Sequence, residues 1–99
     1  MGKLKNAIGV IEVNFYTNAV IVMDEMLKAS DVELVALYKT LGGRMVHSVI
    51  AGTTSNVDAA IEAANGTKSQ IGDSNLKVAV TISNPHPEVL KLLNLISVQ

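Results

Sequence analysis

The feature that most constrains this chain is a glycine pair near its midpoint, between two apolar segments of strand length. Residues 39–44 read Lys-Thr-Leu-Gly-Gly-Arg and are flanked by the apolar runs 32–38 and 45–51. Adjacent glycines permit the positive φ angles that tight turns between strands require. The sequence therefore predicts a β-hairpin here, and most glycine pairs in such a position do no more than close the hairpin.

Two further segments have the composition of strands. Residues 7–13 form a short apolar, β-branched run, in which Gly9 allows close approach of a neighbouring element. In residues 76–82, Leu, Val, Val and Ile alternate with Lys, Ala and Thr, which is the clearest strand pattern in the chain. Together with the hairpin, these segments predict four strands.

Apolar residues at spacings of three and four predict two helices between the strands. Thr17 can cap the first helix, and Lys28 lies in its last turn, where a cation suits the helix dipole. Residues 55–58 have the form of a capping box for the second helix, although Thr53 or Thr54 can cap it instead. That helix is predicted to end at residues 65–66, Asn-Gly, with a left-handed terminus, and a polar loop follows over residues 67–74.

A third helix is predicted after the last strand. Pro87 fits its first turn, and Glu88 favours the positive end of its dipole. The predicted order is then β-α-β-β-α-β-α, an α/β (α+β) fold with a ferredoxin-like four-stranded antiparallel sheet and flanking helices. We expect one domain over residues 6–95, with short tails at 1–5 and 96–99.

The chain is apolar for its size. Of its 99 residues, 48% are hydrophobic and 17% are charged, whereas a small domain needs a large polar surface. A membrane helix does not explain this, because Asp24 and Glu25 interrupt the longest candidate after Met23. The excess predicts surface that is covered by other subunits.

Charge, aromatic content and cysteine content exclude several functions. A net charge of −1 and an aromatic content of 3% predict no nucleic-acid partner. No cysteine is available for disulfides, thiolate catalysis or metal clusters. The N-terminus has neither a signal peptide nor an acylation motif, so a cytoplasmic protein without a membrane partner is expected.

The residues that carry chemistry do not assemble into a catalytic set. His47 and His86 lack partners at metal-ligand spacing, and both fit packing, turn or interface roles better. Glu12, an acid within an apolar strand, can be a proton-transfer group or can accept hydrogen bonds from the backbone. We therefore expect no enzyme, no catalytic residues, no metal and no cofactor.

Five segments, in the correct order over residues 6–93, resemble bacterial microcompartment shell proteins. That family typically reads A-L-G-M-x-E-T in its first strand, D-A-M-x-K-A at the end of its first helix and K-I-G-S-G in its central turn. It continues with R-G-D-V-x-x-V-x-A-A and R-P-H-x-x-V. The similar residues in this chain are 7–12, 24–29, 39–44, Gly52 with 57–60, and Pro85, His86 and Val89.

The resemblance implies a structural protein of the hexamer-forming, single-domain, unpermuted class with the BMC domain. Six subunits would form a flat tile, and tiles would pave the shell together with other shell proteins around encapsulated enzymes. The central turns would meet on the symmetry axis and line a pore for small metabolites, and another set of residues would lie at the tile edge. By this resemblance, the pore-lining residues are Thr40, Leu41, Gly42, Gly43 and Arg44, and the edge residues are Lys28, Asn84, Pro85 and His86.

Three departures from the family pattern affect these assignments. Asn84 stands where the family usually has arginine, and Phe15 stands where it usually has glycine. The segment 39–52 is one residue longer than usual, with the extra residue in the turn or in a bulge of the third strand. If Arg44 faced the axis, six copies would form an anion-selecting ring, but a place on a tile face or just outside the pore is favoured.

One other class of function fits the same fold. A ferredoxin-like oligomer can bind a small molecule at a subunit interface and act as a regulatory module. Such a protein would bind a metabolite and change its oligomeric state without forming sheets, whereas a shell protein would run as a hexamer and tile.

Overall fold

The structure is a computed structural model, and it describes residues 6–40, 42 and 44–97, with the side chains of 94–97 left out. The first half contains β1 (Ala7–Asn14), α1 (Tyr16–Ala29), β2 (Glu33–Lys39) and β3 (Met45–Gly52). The second half contains α2 (Thr54–Gly66), α3 (Lys68–Ile71), a 3₁₀ turn (Asp73–Asn75), β4 (Leu76–Ser83) and α4 (Pro87–Ser97). The predicted strand boundaries agree with these to within one residue.

The four strands form one antiparallel sheet in the order β2-β3-β1-β4. The two central strands, β1 and β3, pair over their whole lengths, from Ala7 opposite Gly52 to Asn14 opposite Met45. β2 and β4 lie at the two sides of the sheet. The predicted ferredoxin-like α+β fold is confirmed.

The larger core lies between α1, α2 and one face of the sheet. Ile11 and Ile50 from the sheet and Met26 and Val57 from the helices are fully buried in it. A Cβ added to Gly9 would lie 2.8 Å from Cγ1 of Ile50, so the strand needs glycine at this position. This confirms the close approach that was predicted for Gly9.

A smaller core lies on the opposite face, under α4. Leu93 and the half-buried Leu90 pack there with Ile8, Val49 and Ala36 of the sheet. Because α4 packs against β2, the same face of β4 at the other side of the sheet is left open. Val80 and Ile82 of β4 are accordingly 46% and 42% exposed.

The starts of α1 and α2 differ from the simplest sequence interpretation. Phe15, not Thr17, precedes α1, and no side chain caps that helix. The predicted Thr17 cap is wrong because the helix has already begun at Tyr16. At α2, the hydroxyl of Thr53 accepts the N–H of Asn56 at 3.2 Å, so the alternative cap Thr53 is correct and Ser55 lies inside the first turn.

The helix α2 ends at Gly66, as predicted, but the predicted left-handed terminus is wrong. Gly66 belongs to the helix, and among the described glycines only Gly42 and Gly72 have positive φ. The buried Thr67 turns the chain, with its hydroxyl donating to the carbonyl of Ala64 at 2.6 Å. The expected loop therefore begins with the short helix α3, which ends at Gly72 with a φ of 94°.

Candidate functional site

The strand pairing shows which loops lie at each of the two ends of the sheet. At one end, which we call the turn end, Asn14 pairs with Met45 beside residues 40–44 of the hairpin. At the opposite end, Ala7 pairs with Gly52 and with Ser83. α1 runs from the turn end back to the opposite end, so Lys28 and the segment 84–86 share the end farthest from the hairpin.

The hairpin is closed by hydrogen bonds between Thr40 and Met45. The N–H of Thr40 donates to the carbonyl of Met45 at 3.0 Å, and the N–H of Met45 reaches the Thr40 hydroxyl at 3.4 Å. Gly42 has a φ of 91° and no atom within 4 Å of an added Cβ, so the turn is open around it. Of the predicted pore-lining residues, Leu41 and Gly43 lie outside the described residues.

The pairing of the two hairpin strands has one irregularity, and it lies in β2. The register of β2 against β3 shifts between Leu34 and Ala36, within β2. β3 pairs with β1 in continuous register over residues 45–52. The predicted alternative of a bulge in the third strand is therefore wrong, and an additional residue in the turn stays a prediction.

Two cations flank the turn, and each lies over an aromatic ring at the start of α1. The guanidinium carbon of Arg44 is 5.9 Å from the ring centroid of Phe15, and Nζ of Lys39 is 4.9 Å from that of Tyr16. The N–H of Phe15 also donates to the carbonyl of Arg44. The charge of Arg44 thus lies beside α1 rather than over Gly42.

Lys28 is exposed at the opposite end, in the last turn of α1. Its Nζ lies 2.7 Å from Oδ2 of Asp24, and the two side chains are 68% and 54% exposed. The hydrogen bond to Asp24, followed by the charge of that carboxylate, raises the pKa of Lys28. An ion pair so exposed is weak, so Lys28 can exchange Asp24 for another acceptor at little cost.

The segment after β4 forms the start of α4. The N–H of Asn84 donates to the carbonyl of Asn6 at 2.7 Å, and Asn84 itself has a φ of 48°. His86 accepts the N–H of Glu88 on Nδ1 at 3.0 Å and so caps α4. Pro85 between them is half-buried.

A pair of polar residues that sequence reasoning missed lies on the α4 face of the sheet. Nδ1 of His47 is 3.3 Å from Oε2 of Glu12 on the neighbouring strand, and the ring of Tyr38 is 5.6 Å from that of His47. The signal was present in the register, because Glu12 and His47 pair directly, but spacing along the chain does not reveal it. Among the described residues, no three acidic or histidine side chains come together to hold a metal.

The sequence pattern of the BMC domain matches residues 7–85, and the fold described above is the one expected for it. The chain belongs to the BMC domain family. The family predicted from the five segments is confirmed.

Named relatives support this membership. The carboxysome shell protein CsoS1C of Hydrogenovibrio crunogenus is 36% identical over 89 residues, covering 90% of this chain and 85% of that protein. The microcompartment shell protein PduA of Salmonella typhimurium is 30% identical over 89 residues, covering 90% and 92%. The carboxysome assembly protein CcmO of Synechococcus elongatus is 39% identical over 69 residues, which are 70% of this chain but only 25% of that protein.

A solved structure gives the same result for the fold. The crystal structure of a microcompartments protein from Desulfitobacterium hafniense has a TM-score of 0.74 and 25% identity, covering 90% of this chain and 47% of the other. This chain therefore spans about a quarter of CcmO and about half of the Desulfitobacterium protein. No helix in the described part of the chain is long and apolar enough to cross a membrane.

Named members of the family are shell proteins of bacterial microcompartments, which agrees with the class predicted from the sequence. A six-fold ring, its pore and its edge go beyond what family membership alone assigns to this chain.

Proposed function

We propose that six copies of this chain form a flat ring with the hairpin turns at its axis, and that these rings tile a microcompartment shell. The unit is one shell domain over residues 6–95, although α4 itself continues to Ser97. The observation that carries the proposal is a pair of different apolar surfaces at the two sides of the sheet.

The first surface lies on β4 and is called the β4-side surface. It consists of Val80 and Ile82, with the half-buried Val78 beside them. These residues carry the apolar half of the strand's alternating pattern, yet they face away from α2, and Ala79 packs against the larger core instead. A strand that directs its larger apolar side chains outward needs a partner to cover them.

The second surface lies at the other side of the domain and is called the β2-side surface. Tyr16, Val20 and Leu27 are exposed at helical spacing along α1. Leu34 and Leu37 of β2 are exposed too, and they pair with Ile50 and Ser48 on the sheet face that α1 and α2 cover. Lys39 reaches from β2 to the ring of Tyr16, so the helix and the strand form one continuous side.

Two unlike surfaces on opposite sides of one subunit favour a ring over a two-fold dimer. A two-fold interface joins identical patches, whereas a ring repeats one contact between different patches. With the turn end at the axis, the β2-side surface of one subunit meets the β4-side surface of the next. The apolar excess of the sequence is then covered without a larger core.

The pore follows from the position of the turn. Thr40, Leu41, Gly42 and Gly43 are proposed to line it, and glycine at the axis lets the backbones approach closely. The open space around Gly42 supports this arrangement. Arg44 belongs to the same turn but is proposed to stand just outside the channel, since its guanidinium lies over Phe15. Small metabolites would cross here.

The tile edge follows from the opposite end. Lys28, Asn84, Pro85 and His86 share that end of the sheet and are proposed to contact the next tile. The long stem of Lys28 can lie along a neighbour while its ammonium donates to carbonyls there. Asn84 has a shorter reach than arginine, so its contribution to the contact is small. Other shell proteins and the enclosed enzymes are the further partners.

The ring is tested on the purified protein by native mass spectrometry and analytical ultracentrifugation. We expect a hexamer for the natural chain and smaller species for Val80→Lys, because the charge would be buried in the contact. Gln70→Lys, which adds the same charge at an exposed position of α3, is the control and should remain hexameric. A stable monomer of the natural chain would refute the ring, and a metabolite-dependent trimer without sheets would favour the regulatory module.

A further inference from the structure

We propose that Phe15 is a positioning residue that holds the charge of Arg44 away from the turn and thereby lowers the affinity of the pore for anions. The inference rests on the proposed ring, since it assigns a role at the axis of that ring. It is carried by the backbone of Phe15, by its two contacts with Arg44 and by a matching arrangement at Lys39.

The backbone of Phe15 is in a conformation that favours glycine. Its φ is 71° and its ψ is 133°, and a residue with a Cβ is strained there. Its ring is 49% exposed, so burial in a core does not compensate for the strain. A strained, exposed aromatic residue beside a candidate pore points to a role in function.

Phe15 contacts Arg44 through both its main chain and its side chain. Its N–H donates to the Arg44 carbonyl, which fixes the two backbones together where β1 ends and β3 begins. Its ring then lies within cation–π range of the guanidinium, at 5.9 Å. The first contact sets where the Arg44 side chain starts, and the second determines where its charge rests.

The other cation beside the turn is held in the same way. Lys39 lies over the ring of Tyr16 at 4.9 Å, so both cations that flank the turn are paired with consecutive aromatic residues. Without these rings, the long side chains of Arg44 and Lys39 would be free to reach over the turn. Six copies of each would then draw small anions to the axis.

The affinity of the ring for inorganic sulfate, measured by isothermal titration calorimetry at low ionic strength, tests the role of Phe15. Phe15→Leu keeps an apolar side chain but removes the ring face, so we expect sulfate to bind about two- to fivefold more tightly, the range that a cation–π contact at an exposed site supports. The same substitution in an Arg44→Gln background should leave the sulfate affinity unchanged. The control is Tyr38→Leu, which removes a different exposed ring, one that lies on β2. It should leave the sulfate affinity unchanged.

Two results would overturn the inference about Phe15. One is an unchanged sulfate affinity in Phe15→Leu with Arg44 present; the other is an equal change in the Arg44→Gln background. Native mass spectrometry of each variant separates this failure from failure of the ring. A natural chain that remains monomeric overturns both proposals. A hexamer whose sulfate affinity is unchanged by Phe15→Leu overturns only the inference about Phe15.

Discussion

Gly9 shows at the scale of one residue how tightly the sheet and its helices pack. An added Cβ would lie 2.8 Å from Cγ1 of Ile50 and 3.1 Å from Cδ1 of Ile61. Cγ1 of Ile50 is bonded directly to Cβ and lies close to the backbone of β3, so it cannot move aside as the far end of a long flexible side chain can. Gly66, in contrast, has no atom within 4 Å of an added Cβ.

Gly9→Ala should lower the free energy of unfolding by about 1–3 kcal/mol, because overpacking a dense core forces neighbouring side chains and backbone to move. Gly66→Ala is the matched control at the last position of α2, and it should raise the free energy of unfolding by up to about 1 kcal/mol through helix propensity. Urea denaturation of both variants measures the difference. A Gly9→Ala variant as stable as the natural chain would contradict the packing described for β1.

At the same scale, spacing along the chain predicts the structural roles of some residues but not the contacts between residues on different elements. The close approach at Gly9 was predicted from its place in an apolar run, and Pro87 was correctly predicted to lie in the first turn of a helix. The contact of Glu12 with His47 was not predicted, because it depends on which strands are neighbours and in what register. The pairing of Arg44 with Phe15 was concealed for the same reason, since these residues meet only after β1, β3 and α1 have assembled.

At the scale of elements, the start of α2 shows how two side chains can compete for one role. Thr53 and Ser55 both stand near the first free N–H groups, and their hydroxyls lie 3.5 Å apart. The hydroxyl of Thr53 accepts the N–H of Asn56. Thr53 has a φ of −71° and a ψ of 158°, the extended backbone conformation of a capping residue.

Thr53→Ala should therefore lower the free energy of unfolding by about 0.5–2 kcal/mol, the range for loss of an N-cap. Ser55→Ala is the control within the same turn. Because Ser55 lies inside the helix, its replacement should change the free energy of unfolding by less than about 0.5 kcal/mol. Equal losses in the two variants, measured by urea denaturation, would assign the cap to both hydroxyls.

Most elements were predictable from hydrophobic period and turn residues, and the departures have local causes. Thr67 was assigned to a loop because it follows Asn-Gly, but its buried hydroxyl pairs with Ala64 and continues the chain into α3. The alternation in β4 was recognised correctly, but the sequence made no prediction about the sheet face on which Val80 and Ile82 lie. Register with Val10 and Ile8 places them on the α4 face, and they stay exposed there because α4 packs against β2.

At the scale of the whole molecule, the sheet separates three tasks in space. The turn end carries the proposed pore, the two sides carry the proposed ring contacts, and the opposite end carries the proposed tile edge. Each task uses different residues, so each can be removed without the other two. A substitution at Lys28 should therefore affect tiling and leave the ring intact.

Lys28→Ala should keep the hexamer but abolish sheets in electron micrographs of concentrated protein. The reason is that the side chain lies in the last turn of α1, about 100° around the helix axis from Leu27 of the β2-side surface, and its exposed pair with Asp24 contributes little to the subunit itself. Lys91→Ala, at an exposed position of α4, removes the same charge and should still give sheets.

Asp24→Asn separates the edge contact from the ion pair within the subunit. If Lys28 donates to a neighbouring tile, releasing it from Asp24 leaves the ammonium available, and sheets should form as in the natural chain. If sheets disappear in Asp24→Asn as well, the ion pair itself is what tiling requires, because it sets the position of the Lys28 side chain. Sheets that persist in Lys28→Ala would remove Lys28 from the edge and leave tiling to the segment 84–86.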